Sequence, residues 1–294
     1  MKNPSTFWAV VLAVLIALGV QNFVIKQTTT PTAASKESAY ERVMRTRTLR
    51  CAYISWSATY FQKEPNTGKF QGFGYDLAEA LAKVMNLKID WVEEVGVGTM
   101  FEGLKTGRYD AICTPIFQDP SGAQHASFSQ PSHYSPVYAY ARANDARFDI
   151  NDPKVLDRIN DSSVTVVDVE GSNGVEIQKN RYPKAKKLFL PVTTSGAEIM
   201  MHVMTKKADI TQQIPLVVDD ALKNNKGSLK RVSNALTVFP TSPIVVPKGD
   251  EKLKEWIDQG IGSMLQMGTI DRILDAYDPH RDKLLRVAPA YRTP

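Results

Sequence analysis

The segment of residues 68–131 constrains the fold of this chain more than any other part of the sequence. Apolar residues recur at helical spacing over residues 75–85, and residues 87–92 alternate as a strand does. A short helix over residues 100–106 and a buried strand over residues 109–114 are predicted next. This alternation predicts a parallel sheet with helices on its faces. Because ligands of such sheets bind at the carboxyl ends of the strands, the loop after the second strand is the first place to look for a site.

Composition and charge are those of a globular protein, and we expect no binding to nucleic acid. Of the 294 residues, 43% are hydrophobic and 23% are charged, which is ordinary for globular domains. The formal net charge is only +5, and the basic residues are scattered except at residues 184–187. Such a short run is expected on a solvated face near a helix end. No Cys-x-x-Cys or His-x-x-x-His spacing occurs, so we expect no metal ion and no cofactor.

The amino terminus carries an export signal. Residues 7–20 form an uninterrupted apolar run after Lys2, and apolar residues resume at 23–25. Either the segment is removed at the small-x-small pattern of residues 17–19, or residues 7–25 stay as one membrane span, near the lower limit of roughly 17–25 residues. We favour the uncleaved anchor, and no cysteine directly follows that could carry a lipid. Both outcomes place the remaining chain outside the cytoplasm, in the periplasm.

Five short motifs occur in order between residues 46 and 279. They are Gly-Phe-Gly-Tyr-Asp-Leu-Ala-Glu-Ala-Leu-Ala at 72–82, Leu-Lys-Thr-Gly-Arg-Tyr-Asp-Ala-Ile at 104–112, Phe-Ser-Gln-Pro at 128–131, Val-Val-Pro-Lys-Gly-Asp at 245–250 and Met-Gly-Thr-Ile at 267–270. In this order they resemble the bacterial extracellular solute-binding proteins of family 3, the polar-amino-acid receptors of ABC transporters. The resemblance implies an α/β fold, a two-lobed clamp of the type II periplasmic-binding-protein kind. Each lobe would be a mainly parallel sheet flanked by helices, with two hinge crossings between the lobes.

The domain organisation follows from this resemblance and from the amino-terminal pattern. The predicted segments are 1–27 (signal peptide or membrane anchor), 28–39 (linker), 40–139 (lobe 1, first part), 140–245 (lobe 2), 246–279 (lobe 1, second part) and 280–294 (polar tail). Because the chain crosses twice between the lobes, lobe 1 is discontinuous. A hinge of this kind lets the clamp close on a ligand.

Two loops supply candidate ligand-binding residues. Trp56 follows the first predicted strand and matches the family position where an aromatic ring stacks on the ligand, and Tyr53 lies just before it. Aromatic side chains offer a large flat surface for such stacking. In lobe 2 a Gly-Ser-Asn-Gly turn at 171–174 precedes a predicted helix and matches the Gly-Thr-type turn of the family. Its backbone N–H groups and small side chains suit an anionic group, so Ser172 and Asn173 are candidates.

The sequence lacks both charged groups that hold amino acids in the relatives. Relatives bind the α-carboxylate with an arginine where this chain has Gly122, and their hydroxyl residue five positions earlier is Phe117 here. Their acidic residue for the amino group matches Ile214, and Gly74 replaces one acidic residue of the family signature. Burying a zwitterion without countercharges is costly. We therefore expect that the ligand is not a free α-amino acid.

The cleft that remains is uncharged, aromatic and amide-bearing. Its predicted ligand-binding residues are Tyr53, Trp56, Thr114, Phe117, Gln118, Ser172, Asn173 and Gln213. They suit a neutral or weakly charged small solute, or a peptide-like segment of a partner protein. The resemblance implies a non-enzymatic receptor that delivers a small polar solute to the permease of an ABC transporter. The receptor would also contact the membrane if its amino-terminal segment is retained.

Two other functions stay open at this point. The first is a membrane-tethered interaction or sensor protein on the same fold, without a transport role, which a retained anchor favours. The second is an enzyme, because some relatives of this fold are dehydratases of cyclic carboxylates. An enzyme needs a general acid or base near the cleft, and Glu170 and Asp119 are the acidic candidates. The missing arginine ranks the enzyme last.

The two cysteines, Cys51 and Cys113, each lie in an apolar predicted strand. In the family these two strands are neighbours, so the side chains could face each other, and export permits a disulfide. Neighbouring parallel strands rarely have the geometry of a bridge. We therefore predict two buried free thiols, which pack as small hydrophobic side chains.

Overall fold

The computed structural model describes residues 37–288. The predicted signal peptide or anchor at 1–27, most of the linker at 28–39 and residues 289–294 of the tail lie outside this part of the chain. Within residues 37–288, no helix has the length and apolar character that a membrane crossing requires.

Short strands and helices alternate along the described chain. Its first half contains α1 (Ala39–Thr46), β1 (Thr48–Tyr53), β2 (Gln62–Lys63), β3 (Phe70–Gln71), α2 (Phe73–Val84), β4 (Lys88–Glu94), α3 (Glu102–Thr106), β5 (Ala111–Ile112), β6 (Ile116–Phe117), a 3₁₀ helix (Gly122–Gln124), β7 (Ala126–Phe128) and β8 (His133–Arg142). Its second half contains α4 (Val155–Ile159), β9 (Thr165–Val169), α5 (Asn173–Arg181), β10 (Lys186–Leu190), α6 (Gly196–Met204), β11 (Ile210–Gln213), α7 (Pro215–Leu222), β12 (Leu229–Arg231), β13 (Thr237–Ser242), β14 (Val245–Pro247), α8 (Glu251–Gln266), α9 (Thr269–Tyr277) and β15 (Leu285–Arg286).

The first sheet has the strand order β4-β1-β5-β14-β7. Strand β1 runs parallel to both β4 and β5, and β14 runs antiparallel to β5 and β7. The predicted alternation of strands and helices is therefore confirmed. The helices also end where turn chemistry predicts, because Asn86 after α2 has a φ of 52° and Gly107 after α3 has a φ of 78°. Both values are left-handed, as helix stops of this kind require.

The second sheet has the strand order β10-β9-β11-β8-β13-β6, and β12 and β15 also pair with β8. Strand β9 is parallel to β10 and β11, whereas β8 is antiparallel to β11 and β13. Strand β6, between β5 and β7, already pairs in the second sheet. After β7 the chain continues in the second sheet from β8 to β13 and returns to the first at β14. The protein is thus the two-lobed α/β clamp that the sequence predicts. We call the part built on the first sheet lobe 1 and the part built on the second sheet lobe 2.

Cys51 and Cys113 form a disulfide bond, so the prediction of two free thiols is wrong. Cys51 pairs with Ala111 across β1 and β5, and Cys113 lies two residues beyond that partner. Side chains two residues apart share one face of a strand, so the cysteines are diagonal neighbours on that face. Their Cα atoms are 5.6 Å apart, within the range that a disulfide needs. The prediction relied on a general property of neighbouring parallel strands. In this register, Cys51 and Cys113 are diagonal neighbours and close enough to form the bond.

The segment after α9 packs against the strand that joins the lobes. Asp278 is buried and accepts hydrogen bonds from the backbone N–H groups of Lys283 and Leu284 over 2.9 and 2.8 Å. Strand β15 then pairs antiparallel with the first residues of β8. The described part of the predicted tail is therefore attached to the hinge region.

Candidate functional site

A cavity of about 130 Å³ lies between the two lobes, beside the carboxyl ends of β1, β5, β9 and β11. Open α/β sheets bind ligands at this edge, so the cavity is the candidate site. Its lining residues are Ile54, Trp56, Tyr60, Val97, Met100, Thr114, Pro115, Ile116, Phe117, Val137, Asp168, Ser172, Asn173, Gly174, Ile177, Gln212, Gln213, Ile214 and Phe239.

Most of the predicted ligand-binding residues come together at this cavity. Those that line it are Trp56, Thr114, Phe117, Ser172, Asn173 and Gln213. Tyr53 and Gln118 do not line it. Tyr53 is buried, and its ring packs edge-on against Phe70. The side-chain amide of Gln118 donates to the carbonyl of Ser129 over 2.9 Å and to the hydroxyl of Ser242 over 2.8 Å.

Hydrogen bonds between loops hold the lobe 1 wall of the cavity in place. The N–H of Ile54 donates to Thr114 Oγ1 over 2.9 Å, which ties the chain after β1 to the chain after β5. The Tyr60 hydroxyl donates to the carbonyl of Pro115 over 2.8 Å. A Cβ atom at Gly74 would lie 2.5 Å from Pro115 Cδ. The glycine that replaces an acidic residue of the family signature therefore makes room for this loop.

Two stacked aromatic rings form part of the apolar lining. Phe117 on β6 and Phe239 on β13 lie with ring centroids 4.8 Å apart and planes 8° from parallel. Trp56, Val97 and Met100 add further apolar surface. The cavity therefore offers a binding surface for the apolar part of a ligand.

Asp168 places a carboxylate at this apolar cavity. It lies near the end of β9 and is 4% exposed. Its Oδ1 accepts hydrogen bonds from the N–H of Val169 and the hydroxyl of Ser172, each over 2.8 Å. Its Oδ2 is buried and has no hydrogen-bond partner among the described residues. Burial raises the pKa of the Asp168 carboxyl to about 6, although both hydrogen bonds oppose the shift.

The turn before α5 is shaped around this carboxylate. Helix α5 begins at Asn173, after Ser172 in an extended conformation. A Cβ atom at Gly174 would lie 1.5 Å from Asp168 Oδ2, so a side chain at position 174 is excluded while Asp168 keeps its place. The anionic group beside this glycine-rich turn is therefore the protein's own Asp168.

The positions of the two missing charged groups differ in their surroundings. Ile214 lines the cavity and is 6% exposed. Gly122 lies outside the cavity in a wider cleft, where a Cβ atom would lie 2.8 Å from Phe128 Cζ. An arginine at position 122 would therefore require Phe128 to move. Among the described residues that line the cavity, none is arginine, lysine or histidine.

Several residues that line the cavity are absent from the residues predicted from the sequence, among them Tyr60, Asp168, Gln212 and Phe239. Asp168 carried a usable signal. It is a single carboxylate within the otherwise uncharged strand β9, near the carboxyl end where ligands bind. Phe239 carried no local signal, because only the return of β13 alongside β6 brings it to the cavity.

The wider cleft adjoins the cavity and has a volume of about 840 Å³. Its lining includes both acidic and basic side chains, namely Asp119, Glu176, His125, Lys179 and Arg181. Within residues 37–288, no group of His, Cys, Asp or Glu side chains could hold a metal ion.

The two lobes contact each other directly beside the site. The N–H of Thr59 in lobe 1 donates to Asp220 Oδ2 on α7 over 2.7 Å, and the Thr59 hydroxyl donates to Asp220 Oδ1. On another part of the boundary, a Cβ atom at Gly171 would lie 3.1 Å from the Cα of Gly98. The two lobes are therefore joined by hydrogen bonds and lie close together beside the cavity.

Replacing Asp220 with alanine is expected to shift the clamp toward an open form. Hydrogen bonds to a charged group contribute roughly 1.5–3 kcal/mol, and this change removes those between Asp220 and Thr59. Small-angle X-ray scattering should show a larger radius of gyration than in the parent protein. Asp161→Ala is the matched control, because Asp161 also lies in lobe 2 but accepts its hydrogen bonds from Ser163 of the same lobe, over 2.8 and 2.7 Å. Equal radii for the parent and Asp220→Ala would show that these bonds do not hold the lobes together.

Comparisons with known proteins agree with this architecture. The chain is 24% identical over 212 residues to the probable amino-acid-binding protein YxeM of Bacillus subtilis, covering 71% of this chain and 76% of that protein. It is 28% identical over 222 residues to the amino-acid-binding protein AabA of Dichelobacter nodosus, covering 73% and 81%. Its fold is similar to that of the ancestral amino acid-binding protein AncCDT-1, a precursor of cyclohexadienyl dehydratase, with a TM-score of 0.69 and 24% identity over 82% of this chain and 99% of that one.

The family assignment rests on a match that covers most of the chain. The model of the bacterial extracellular solute-binding proteins, family 3, matches residues 54–280. This range includes every residue that lines the cavity and most strands of both sheets, with β1 just before it and β15 just after it. The chain therefore belongs to the bacterial extracellular solute-binding proteins of family 3.

Proposed function

We propose that this protein captures a small solute between its lobes and delivers it to the permease of an ABC transporter. Membership of an extracellular solute-binding family supports the role of a non-enzymatic receptor. It also supports a place in the periplasm, where the protein is either free or tethered to the membrane by residues 7–25. The relatives YxeM and AabA are named as amino-acid-binding proteins. The described residues around the cavity of this chain lack the cationic side chain that would bind an α-carboxylate, so we infer the class of solute from the cavity itself.

The lining of the cavity indicates that class. Aromatic and aliphatic side chains dominate it, and the described lining residues include no cationic side chain. An α-carboxylate bound there would lack the guanidinium partner that normally fixes it, and an unpaired buried charge is costly. We therefore propose a small, mainly apolar solute without a carboxylate group.

A thermal-shift screen of the full-length chain tests this function. The panel contains small alcohols, amides, amines and free α-amino acids. A ligand at 100 times its Kd stabilises the folded state by about 2.7 kcal/mol, which is readily visible as a rise in Tm. We expect a rise with at least one carboxylate-free class and none with the amino acids.

Variants show whether a rise in Tm comes from the cavity. Trp56→Ala removes a lining side chain and should abolish the rise. Phe189→Ala removes an exposed aromatic ring of β10, which does not line the cavity, and should leave the rise unchanged. A rise with a free α-amino acid would contradict the proposed solute class. No rise with any compound would contradict the receptor and favour the tethered interaction protein.

A further inference from the structure

Two buried side chains at the cavity have polar atoms without a hydrogen-bond partner in the described chain. They are Asp168, through Oδ2, and Gln212, through Oε1. Each residue is 4% exposed. Other buried side chains with unpartnered atoms, such as Gln178, Tyr182 and Thr211, do not line the cavity. Both unpartnered atoms at the cavity are acceptors, so the group that completes them must be a donor.

The carboxylate of Asp168 is held so that one oxygen stays available. Val169 and Ser172 both donate hydrogen bonds to Asp168 Oδ1. Asp168 Oδ2 lies beside Gly174, where the Cβ atom of any other residue would collide with this oxygen. The amide nitrogen of Gln212 lies 3.5 Å from the carbonyl of Gly174, and its Oε1 has no partner in the described chain. A buried acceptor without a donor is unfavourable, which argues that a ligand supplies one.

The protein supplies no positive charge to this carboxylate. Among the described residues that line the cavity, Asp168 and Tyr60 have ionisable side chains, and the Tyr60 hydroxyl donates a hydrogen bond to the carbonyl of Pro115. The residues beside Asp168, namely Val169, Ser172, Gly174 and Gln212, carry no charge. A cation that pairs with Asp168 in the closed clamp therefore has to come from the solute.

We propose that the solute is a small primary amine, and that Asp168 Oδ2 and Gln212 Oε1 accept hydrogen bonds from its ammonium group. This inference rests on the proposed receptor function and specifies its ligand. The apolar part of the amine lies against Trp56, Phe117 and Phe239. An ammonium donor beside a carboxylate forms a charge-assisted hydrogen bond, which is stronger than a neutral one.

The volume of the cavity suits an amine with a short apolar part. This volume is about 130 Å³, and a cavity of about 150 Å³ accommodates benzene. An alkylamine with about four to six carbon atoms is therefore of suitable size. Isoamylamine meets this description, and leucine is the same molecule with an added α-carboxylate. Isoamyl alcohol keeps the carbon skeleton and replaces the ammonium group with a hydroxyl.

Isothermal titration calorimetry on the full-length protein with these three compounds tests the proposal. We expect isoamylamine to bind the parent protein more tightly than isoamyl alcohol or leucine. Asp168→Asn should lower the affinity for isoamylamine by about 10- to 100-fold, because it replaces a charged acceptor with a neutral amide. The affinity for isoamyl alcohol should change by less than about threefold, because the neutral alcohol forms no ion pair with Asp168.

The matched control is Asp161→Asn. Asp161 Oδ1 accepts from the N–H and the hydroxyl of Ser163 over 2.8 and 2.7 Å, at the turn before the same strand. This variant makes the same change of charge away from the cavity and should leave isoamylamine binding unchanged. If Asp168→Asn does not fold, the parent protein still provides a test, because its affinity for isoamylamine should fall about tenfold from pH 7 to pH 5 as Asp168 takes up a proton.

The outcomes separate this inference from the proposed function. If isoamyl alcohol binds the parent protein as tightly as isoamylamine, or if neither Asp168→Asn nor low pH weakens the amine, the receptor stands and the amine assignment falls. If leucine binds more tightly than isoamylamine, or if no compound binds, the proposed solute class and the inference fall together.

Discussion

Replacing both Cys51 and Cys113 with alanine is expected to lower the free energy of unfolding by about 4 kcal/mol. The disulfide joins residues 62 positions apart, so it removes a large amount of chain entropy from the unfolded state. Urea unfolding followed by tryptophan fluorescence measures the difference between the oxidised parent and the variant. This is the largest single effect that we expect from a change in lobe 1.

Reduction provides the control for this experiment. A thiol reductant in the unfolding buffer should bring the parent protein close to the variant, whereas it should not affect the variant further. A difference below about 1 kcal/mol between oxidised parent and variant would show that the loop-closure argument does not apply here. The bond also lies next to the site, because Ile54 and Thr114, which line the cavity, each follow shortly after one of the two cysteines.

Replacing Asp168 with asparagine is expected to stabilise the unliganded protein at pH 8, by up to about 3 kcal/mol. Burial raises the pKa of this carboxyl from 3.8 to about 6 in the folded state, so the folded protein holds the proton more tightly than the unfolded chain does. The stability contributed by this group is therefore fully present below pH 3.8 and is lost as the pH rises through 6. Above that pH the parent protein carries a buried carboxylate without a cationic partner among the described residues that line the cavity, and asparagine removes its charge.

Unfolding free energies of the parent and Asp168→Asn, measured between pH 4 and pH 8, test this expectation. The two proteins should have similar stability at pH 4 and diverge as the pH rises. Asp161→Asn again serves as the control, because hydrogen bonds from Ser163 lower the pKa of the exposed Asp161 carboxyl, so its removal should bring no gain at pH 8. An Asp168→Asn variant less stable than the parent at pH 8 would contradict the argument. Greater stability combined with weaker amine binding is the usual trade between stability and function at a binding site.

Local features of the sequence determined the secondary structure and the order of its elements. The apolar spacing before Met85 and the alternation after Asn86 depend on near neighbours in the chain, as do the left-handed stops at Asn86 and Gly107. Residues just after strand ends, such as Trp56, Thr114 and Ser172, could also be placed near the site, because parallel strands bring their carboxyl ends to one edge of the sheet. The resemblance to the family, and not the local pattern, identified Gly122 and Ile214 as positions where relatives carry charged side chains.

Only the tertiary structure decided how these segments meet. The diagonal pairing of Cys51 with Cys113 depends on the register of β1 against β5, and Phe239 reaches the cavity through the pairing of β13 with β6. Tyr53 lies at the end of a strand, yet the alternation of side chains turns it into the core. Asp168 is visible in the sequence as the single carboxylate of β9, but the sequence does not show how its oxygens are placed. Its free oxygen depends on Ser172, Gly174 and the packing of α5. Periodicity reports which face of an element is apolar, whereas register and packing between distant segments decide which side chains share a cavity.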